Sequence, residues 1–279
     1  MKVFISCDME GISGVAARNH TNQHEAEYQR FRRLMTADCN AAIAGACDAG
    51  ATDVLVVDGH GPQTNIMIED LDPRAELTTG SNKHFCQMEG IGADYAAVLL
   101  VGYHAREGAM DGVINHTLLG SAVYRITVNG REVGETGINA GLAGHYGVPV
   151  AMVSGDNVLA EEARELLGPI ETAITKQAID RHTARCLAPA RAQALIREAA
   201  ARGLRRAQAG ELKPWRAGTP VAFEVTFKST DAAHMASVFP FVERLGPKVV
   251  RVAAEDYPTA FRLLWGTLIV GSKTIGGVL

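Results

Sequence analysis

The sequence predicts an α/β fold with a mainly parallel sheet flanked by helices, a β-hairpin and a smaller C-terminal α+β portion. Three apolar runs, at residues 3–7, 54–57 and 97–101, are typical of strands buried on both faces of a parallel sheet. A segment of helical composition separates the first two runs, which predicts a β-α-β crossover. Alternating residues on both sides of Asn129-Gly130 are a strong signal for a β-hairpin.

The first crossover is predicted to contain a long helix. Residues 24–49 are rich in Ala, Glu, Arg and Leu, which favour helices, and Gly50 stands where a helix-ending glycine is expected. After the second strand, the pattern predicts a short strand at residues 76–79 and a helix at residues 83–91. The glycine-containing segment 105–115 follows the third strand and predicts a loop over the edge of the sheet.

The rest of the chain predicts further helices and strands of ordinary length. In chain order they are a helix ending at His145, a strand at 149–153, helices at 156–167 and 189–207, a strand at 221–227 and a helix at 257–268. Segment 209–218 carries Pro214 and lacks a periodic pattern, which is typical of a boundary. We therefore predict a larger α/β portion at 1–208 and a C-terminal α+β portion at 219–279, with one continuous domain as the alternative.

Composition limits the partners and the compartment. The 279 residues include 27 basic and 31 acidic ones, and the net charge of −4 gives no support for binding nucleic acid or an anionic membrane. The five cysteines form no Cys-x-x-Cys pair, which argues against a disulfide framework or a thiolate zinc site. The N-terminal apolar stretch stops at Asp8, too early for a signal peptide or a membrane span. A cytoplasmic protein is expected.

Metal-binding side chains follow all three of the predicted parallel strands. Asp8 and Glu10 follow the first strand, His60 the second and His104 the third. Carboxyl ends of neighbouring parallel strands lie on one edge of the sheet, where ligands bind in open α/β folds. Two buried carboxylates repel each other by several kcal/mol unless a positive charge lies between them, and mixed nitrogen and oxygen ligands suit a divalent ion such as zinc.

A structural interpretation stands beside this metal site, since a single Asp or His after a strand more often serves a turn or a cap. The recurrence at three strand ends favours the metal. Asp58 has two open interpretations, orienting His60 or shaping the turn, and Asn115 either contacts substrate or shapes its loop. The remaining histidines are predicted to be ordinary surface or core residues: His20, His24, His84, His145, His182 and His234.

The same segments resemble the D-aminopeptidase family of metallopeptidases. The chain opens on Ser-Cys-Asp-Met-Glu-Gly at residues 6–11, which is similar to the family's Ser-x-Asp-x-Glu-Gly motif. The other matching segments stand in the family's order: Asp58-Gly59-His60, Gly102-Tyr103-His104-Ala105, Asn115-His116-Thr117 and Gly134-Glu135-Thr136-Gly137-Ile138-Asn139. The similarity extends over most of the chain and is strongest before about residue 160.

The resemblance implies a two-zinc centre in each subunit, in which Asp8 bridges the metals and Glu10, His60, His104 and Glu135 complete the ligands. Mn²⁺ and Co²⁺ are alternatives to Zn²⁺, because first-row ions compete for such ligands. The family's catalytic histidine corresponds to His116. The resemblance also implies a homo-oligomer, a decamer of stacked pentamers with active sites facing an inner channel.

These expectations combine into a function: a metal-dependent aminopeptidase that hydrolyses the N-terminal peptide bond of short peptides containing D-amino acids. Two metals can activate a water, polarise a peptide carbonyl and anchor a free α-amine. His116 can act as base, acid or nucleophile, and the residues alone leave these roles open. The alternatives are a two-metal phosphoesterase or amidase, and a ring-forming peptide- or metal-binding protein. Stereochemical preference depends on the shape of the pocket and also stays open.

Overall fold

The structure is a computed structural model that describes residues 1–273. In chain order the strands are β1 (Lys2–Cys7), β2 (Asp53–Asp58), β3 (Ala75–Thr78), β4 (Ala97–Val101), β5 (Val123–Val128), β6 (Arg131–Glu132), β7 (Val150–Asp156), β8 (Glu171–Asp180), β9 (Thr183–Cys186), β10 (Val221–Phe227), β11 (Glu243–Arg244) and β12 (Val249–Ala254). The α-helices are α1 (Arg18–Thr21), α2 (Tyr28–Asp48), α3 (Glu135–His145), α4 (Asn157–Leu167), α5 (Pro189–Gln208), α6 (Thr230–Ala236) and α7 (Tyr257–Ser272).

The larger sheet has seven strands in the order β3-β2-β1-β4-β7-β8-β9, and every pair except β8-β9 is parallel. The chain steps from β1 to β2 in one direction and from β4 to β7 in the other, so the strand order reverses between β1 and β4. Right-handed crossovers then place α2 and α4 on opposite faces, and α5 packs beside α2. This confirms the predicted α/β fold.

The centre of this sheet is its most buried part. Every residue of β4 is buried, as are five of the six residues of β1. Such strands are apolar along their whole length because helices cover both faces, which explains why the sequence shows runs there instead of alternation. The segments that follow β1 and β4 remain hydrogen-bonded to each other beyond the strand ends. Asp8 N–H donates to Val101 O at 2.8 Å, and Gly11 N–H donates to Gly102 O at 2.7 Å.

The second sheet is antiparallel, with five strands in the order β11-β12-β10-β5-β6. The predicted hairpin forms β5 and β6, and both turn residues have positive φ, 48° at Asn129 and 81° at Gly130. Strand β10 pairs with β5, so the C-terminal strands extend the sheet that the hairpin begins. The division of the chain into 1–208 and 219–279 stays a prediction.

Two sequence expectations differ from the structure. The helix predicted at 83–91 is only a 3₁₀ turn, Cys86–Met88, because positive φ values at Cys86 and Gly90 interrupt a helical path. The sequence analysis also did not predict strands β8, β9, β11 and β12 or the short helices α1 and α6. Strand β8 carries Lys176 at a buried position, so its apolar pattern is hidden. Within residues 1–273 no helix is long and apolar enough to cross a membrane. The cytoplasmic location stays a prediction.

Candidate metal centre

The order of the central strands brings the predicted side chains together. Strand β1 lies between β2 and β4, so Asp8 and Glu10 lie beside the residues that follow both neighbours. His60 Nδ1 lies 3.0 Å from Glu10 Oε2 and 3.4 Å from Asp8 Oδ1. His104 Nε2 lies 3.4 Å from Asp8 Oδ2. The four residues form one cluster.

Two glycines permit this close approach of the β1 and β4 ends. A Cβ atom at Gly11 would lie 2.0 Å from Tyr103 O, and one at Gly102 would lie 2.2 Å from Asp8 O. Gly102 also has a φ of +72°, which side-chain-bearing residues rarely adopt. Any larger residue at these positions would therefore separate Asp8 from His104.

Glu135 joins the cluster from a different element, the first turn of α3. Its Oε1 atom lies 3.2 Å from His104 Nε2 and accepts a hydrogen bond from Leu118 N–H at 2.7 Å. Gln87 Nε2 donates to the other oxygen, Oε2. The N-terminal end of a helix also favours a carboxylate, because the backbone N–H groups point toward it. Glu135 is thus held in a defined position at the centre.

His116 lies beside the same residues, on the loop that follows β4. Its ring stacks on that of His104, with centroids 3.9 Å apart and an angle of 11° between planes. Its Nε2 atom lies 3.7 Å from Glu135 Oε1. The side chain of His116 is 19% exposed, whereas that of Glu135 is only 2% exposed. His116 therefore lies at the boundary between the buried cluster and the open cavity.

Backbone carbonyls fix the tautomers of all three imidazoles. The pairs are His60 Nε2 with Thr21 O at 2.8 Å, His104 Nδ1 with Ala105 O at 2.9 Å, and His116 Nδ1 with Ile114 O at 2.8 Å. A carbonyl only accepts hydrogen bonds, so these nitrogens carry the hydrogen. The other nitrogen of each ring faces the carboxylates and can offer its lone pair, as in many metal sites.

The electrostatics of the cluster favour positive charge between its carboxylates. Burial alone would lower the pKa of His60 and His104, but the adjacent carboxylates outweigh burial and raise both pKa values well above the usual range. Burial would likewise raise the pKa of Asp8, but the adjacent imidazoles of His104 and His60 hold it well below its usual value. The same environment favours a bound cation, and a metal would compete with protons for the imidazole nitrogens.

The donor set fits a divalent metal. Within residues 1–273, His104 Nε2 is buried and has no hydrogen-bond partner, although carboxylate oxygens lie on two sides of it. Ligand atoms of Asp8, Glu10 and His104 lie within 4.8 Å of one another, and so do those of His104, His116 and Glu135. Imidazole nitrogens and carboxylate oxygens at this density are typical ligands of zinc. The predicted residues thus converge on a candidate metal site.

Comparison with known proteins identifies the family. A sequence model of the family described as D-aminopeptidase matches residues 1–265. The chain belongs to the D-aminopeptidase family. A D-aminopeptidase of Bacillus subtilis (strain 168) is 37% identical over 265 residues, which is 95% of each chain. The predicted family resemblance and the aminopeptidase class are confirmed.

The solved structure of a relative has the same fold as this chain. It is described as the Zn-dependent D-aminopeptidase DppA from Bacillus subtilis, a self-compartmentalizing protease. The two structures have a TM-score of 0.94 and 35% sequence identity, and the match covers 98% of each chain. The mainly parallel sheet with flanking helices is therefore an arrangement shared with a solved relative.

Sequence reasoning missed a polar network below Glu135 in this family member. Gln87 Oε1 accepts from Asn139 Nδ2 at 2.7 Å, and Asn139 Nδ2 also donates to Tyr103 OH at 2.8 Å. Tyr103 OH shares a hydrogen bond of 2.6 Å with Ser6 Oγ. These residues come from four separate elements, and isolated polar residues in apolar segments gave no signal of their contact. Together they fix the Gln87 amide that donates to Glu135.

Sequence reasoning also missed the buried Lys176. Its ammonium group is fully buried and donates to three backbone carbonyls, those of Glu10, Ile12 and Val15. Burial lowers the pKa of Lys176 to about 8. The three bonds tie the loop that carries Glu10 to strand β8, so Lys176 positions a candidate ligand from beneath.

The two residues with open interpretations have structural contacts. Asp58 accepts from Asn65 Nδ2 at 2.7 Å and from Ile66 N–H at 2.7 Å, and Asn65 Nδ2 also donates to His60 O at 2.6 Å. Asp58 thus shapes the turn that carries His60. Asn115 donates to the carbonyl of Ala109 and so shapes its own loop.

Proposed function

We propose that this chain is a zinc-dependent aminopeptidase that removes the N-terminal residue of short peptides containing D-amino acids. The observation that carries the proposal is the buried carboxylate–imidazole cluster, in which the free nitrogen of every imidazole faces a carboxylate. Membership in the D-aminopeptidase family and similarity to a relative described as Zn-dependent support the metal and the substrate class.

The geometry around Asp8 supports two ions per subunit. Its Oδ1 atom faces His60, which also contacts Glu10, and its Oδ2 atom faces His104, which also contacts Glu135. The cluster therefore divides into two halves that share Asp8. We assign Asp8 as the bridging ligand, Glu10 and His60 to one ion, and His104 and Glu135 to the other.

His116 is the residue that we assign to proton transfer. When bound, the ions supply Lewis acidity toward the peptide carbonyl and the attacking water. His116 Nδ1–H donates to Ile114 O, so Nε2 is the atom that can accept a proton and later deliver it to the leaving amine. Its partial exposure at the cavity fits this role better than the full burial of the assigned ligands.

The space beside the centre fits the end of a small peptide. A cavity of about 140 Å³ contains the assigned ligands Asp8, Glu10, His60 and Glu135, and it is also lined by Trp265. A pocket of this size accepts a small N-terminal residue. A second, larger cavity shares Glu10 and His116 with it and leaves room for the remainder of the substrate.

The first experiment tests the activity and the metal together. Zinc-loaded protein is incubated with matched D,D and L,L dipeptides, and mass spectrometry measures the released amino acids. We expect release from the D,D set, a loss of at least about 1,000-fold after EDTA treatment, and recovery with Zn²⁺, because Lewis acidity contributes several kcal/mol to the barrier. Parallel reloading with Mn²⁺ and Co²⁺ compares the alternative ions.

Each result of this assay has a defined meaning. Release from the L,L set alone would contradict the D-amino-acid substrate while keeping the aminopeptidase. Release that EDTA does not affect would contradict the metal centre. No release from either set would reject the peptidase and leave an amidase or phosphoesterase to be tested.

Homo-oligomerisation is part of the proposal, as a decamer of two stacked pentamers. The relative described as a self-compartmentalizing protease supports it. Large apolar side chains are also exposed close together in sequence, which is typical of an interface: Met235, Val238, Phe241 and Leu245. Light scattering should give ten times the chain mass of 29.7 kDa, and a single-chain mass at all concentrations would contradict the assembly.

A further inference from the structure

The larger cavity beside the metal centre has a cationic wall. It has a volume of about 370 Å³, and its lining includes Glu10 and His116 at one end and the arginines Arg18 and Arg181 elsewhere. Among residues 1–273, Glu10 is the only acidic residue of the lining, and it is assigned to the metal centre. The cavity therefore presents positive charge to a ligand, in a chain whose net charge is −4.

Arg181 lies in the turn between β8 and β9 and is attached to the loop that carries His116. Its Nη2 atom donates to Asn115 O at 2.8 Å and lies 3.5 Å from Glu107 Oε2. The other Glu107 oxygen lies 3.2 Å from Lys228 Nζ, so one carboxylate serves two cations. The side chain of Arg181 is 41% exposed, and its guanidinium keeps N–H groups for a ligand.

Arg18 supplies a second charge from α1. It is exposed, and among residues 1–273 its guanidinium has neither an ion-pair nor a hydrogen-bond partner. The same short helix contacts the metal centre, because Thr21 O accepts the hydrogen bond from His60 Nε2. Arg18 therefore lines the cavity from an element that is attached to a ligand of the proposed centre.

We propose that this cavity binds the C-terminal carboxylate of the substrate through Arg181 and Arg18. In a dipeptide that carboxylate is one residue from the scissile carbonyl. It can therefore reach the cavity that the two arginines and His116 line while the N-terminal residue occupies the smaller cavity. Guanidinium groups recognise carboxylates through paired hydrogen bonds. The substrate class is then dipeptides and other very short peptides with a free C-terminus. This inference rests on the proposed aminopeptidase function.

The test compares a dipeptide with its own C-terminal amide. Alanyl-alanine of the configuration that the enzyme cleaves and alanyl-alanine amide present the same scissile bond and differ only in the terminal charge. They are measured with zinc-loaded wild type, Arg181→Gln, Arg18→Gln and the double variant. Arg33→Gln is the matched control, since Arg33 is an exposed arginine of α2 that does not line the cavity.

We expect the wild type to prefer the acid, and the double variant to lose about 10- to 100-fold in kcat/KM for the acid, mainly through KM. The amide should change less than about two-fold, so that the acid-to-amide ratio approaches one. The preference should also weaken as salt is added, because exposed charges are screened. Arg33→Gln should keep the wild-type ratio.

Other outcomes overturn the inference without ambiguity. If kcat/KM of the double variant falls equally for the acid and the amide, the arginines only hold the His116 loop in place. If kcat/KM for the acid stays at the wild-type value, neither arginine contacts the substrate. If the wild type cleaves neither peptide, the proposed function fails, and calorimetry then tests the site itself. A carboxylate site requires the acid to bind zinc-loaded protein more tightly than the amide, and this difference must disappear in the double variant.

Discussion

Asp8→Ala is expected to lose both metal ions and at least about 1,000-fold in kcat/KM. The two carboxylate oxygens of Asp8 face different histidines, so its removal takes a ligand from both halves of the proposed centre. It also leaves the carboxylates of Glu10 and Glu135 with less positive charge between them. Elemental analysis by mass spectrometry measures the zinc content, and dipeptide hydrolysis measures the activity.

The control for this variant is Asp38→Asn. Asp38 is buried below the loop that follows β1, where its carboxylate accepts a hydrogen bond from Ser13 N–H at 3.4 Å. This carboxylate is outside the candidate ligand set. Circular dichroism confirms that both variants are folded. Two ions retained in Asp8→Ala would make the bridging assignment wrong. One ion retained would show that Asp8 belongs to a single half of the centre.

His116→Ala is expected to keep both zinc ions and to lose about 100- to 10,000-fold in kcat. The reason is that we assign proton transfer to Nε2 of the partly exposed His116, while the five assigned ligands are unchanged in this variant. KM should change little, because substrate still reaches the metals and the cavity. Steady-state kinetics on the preferred dipeptide, together with the zinc content of the same sample, checks both statements.

His24→Ala is the matched control, since His24 is exposed and outside the cluster. An unchanged kcat in His116→Ala would remove His116 from the mechanism. A fall to one zinc ion per chain would give it a different role, that of a ligand, which its position beside Glu135 and His104 would also permit. The zinc content therefore separates a catalytic His116 from a ligating one.

The local pattern of residues was sufficient to predict the central strands β1, β2 and β4 and four members of the cluster. The apolar runs of β1, β2 and β4 are visible in sequence because these strands are buried on both faces. Asp8, Glu10, His60 and His104 follow them directly, so parallel pairing alone brings them to one edge. Glu135 was predicted only from the family resemblance. It belongs to helix α3, and no local sequence pattern indicates where that helix packs.

Contacts between distant elements required the folded chain. Lys176 and Glu10 are 166 residues apart, and nothing near Lys176 indicates that its ammonium group binds the loop of Glu10. The prediction of a helix at 83–91 was wrong for a related reason. This segment is buried beneath Glu135, and its tertiary contacts outweigh its helical propensity. Local preferences are small, and tertiary packing can outweigh them.

The sequence by itself therefore determined the parallel sheet, the residue types of the candidate metal ligands and the family. The tertiary structure supplied the directions of those groups. Only there do the two oxygens of Asp8 face different imidazoles, and only there do Arg18 and Arg181 line one cavity with His116. Backbone pairing specifies which strand ends meet, whereas side-chain orientation depends on contacts among residues that are far apart in sequence.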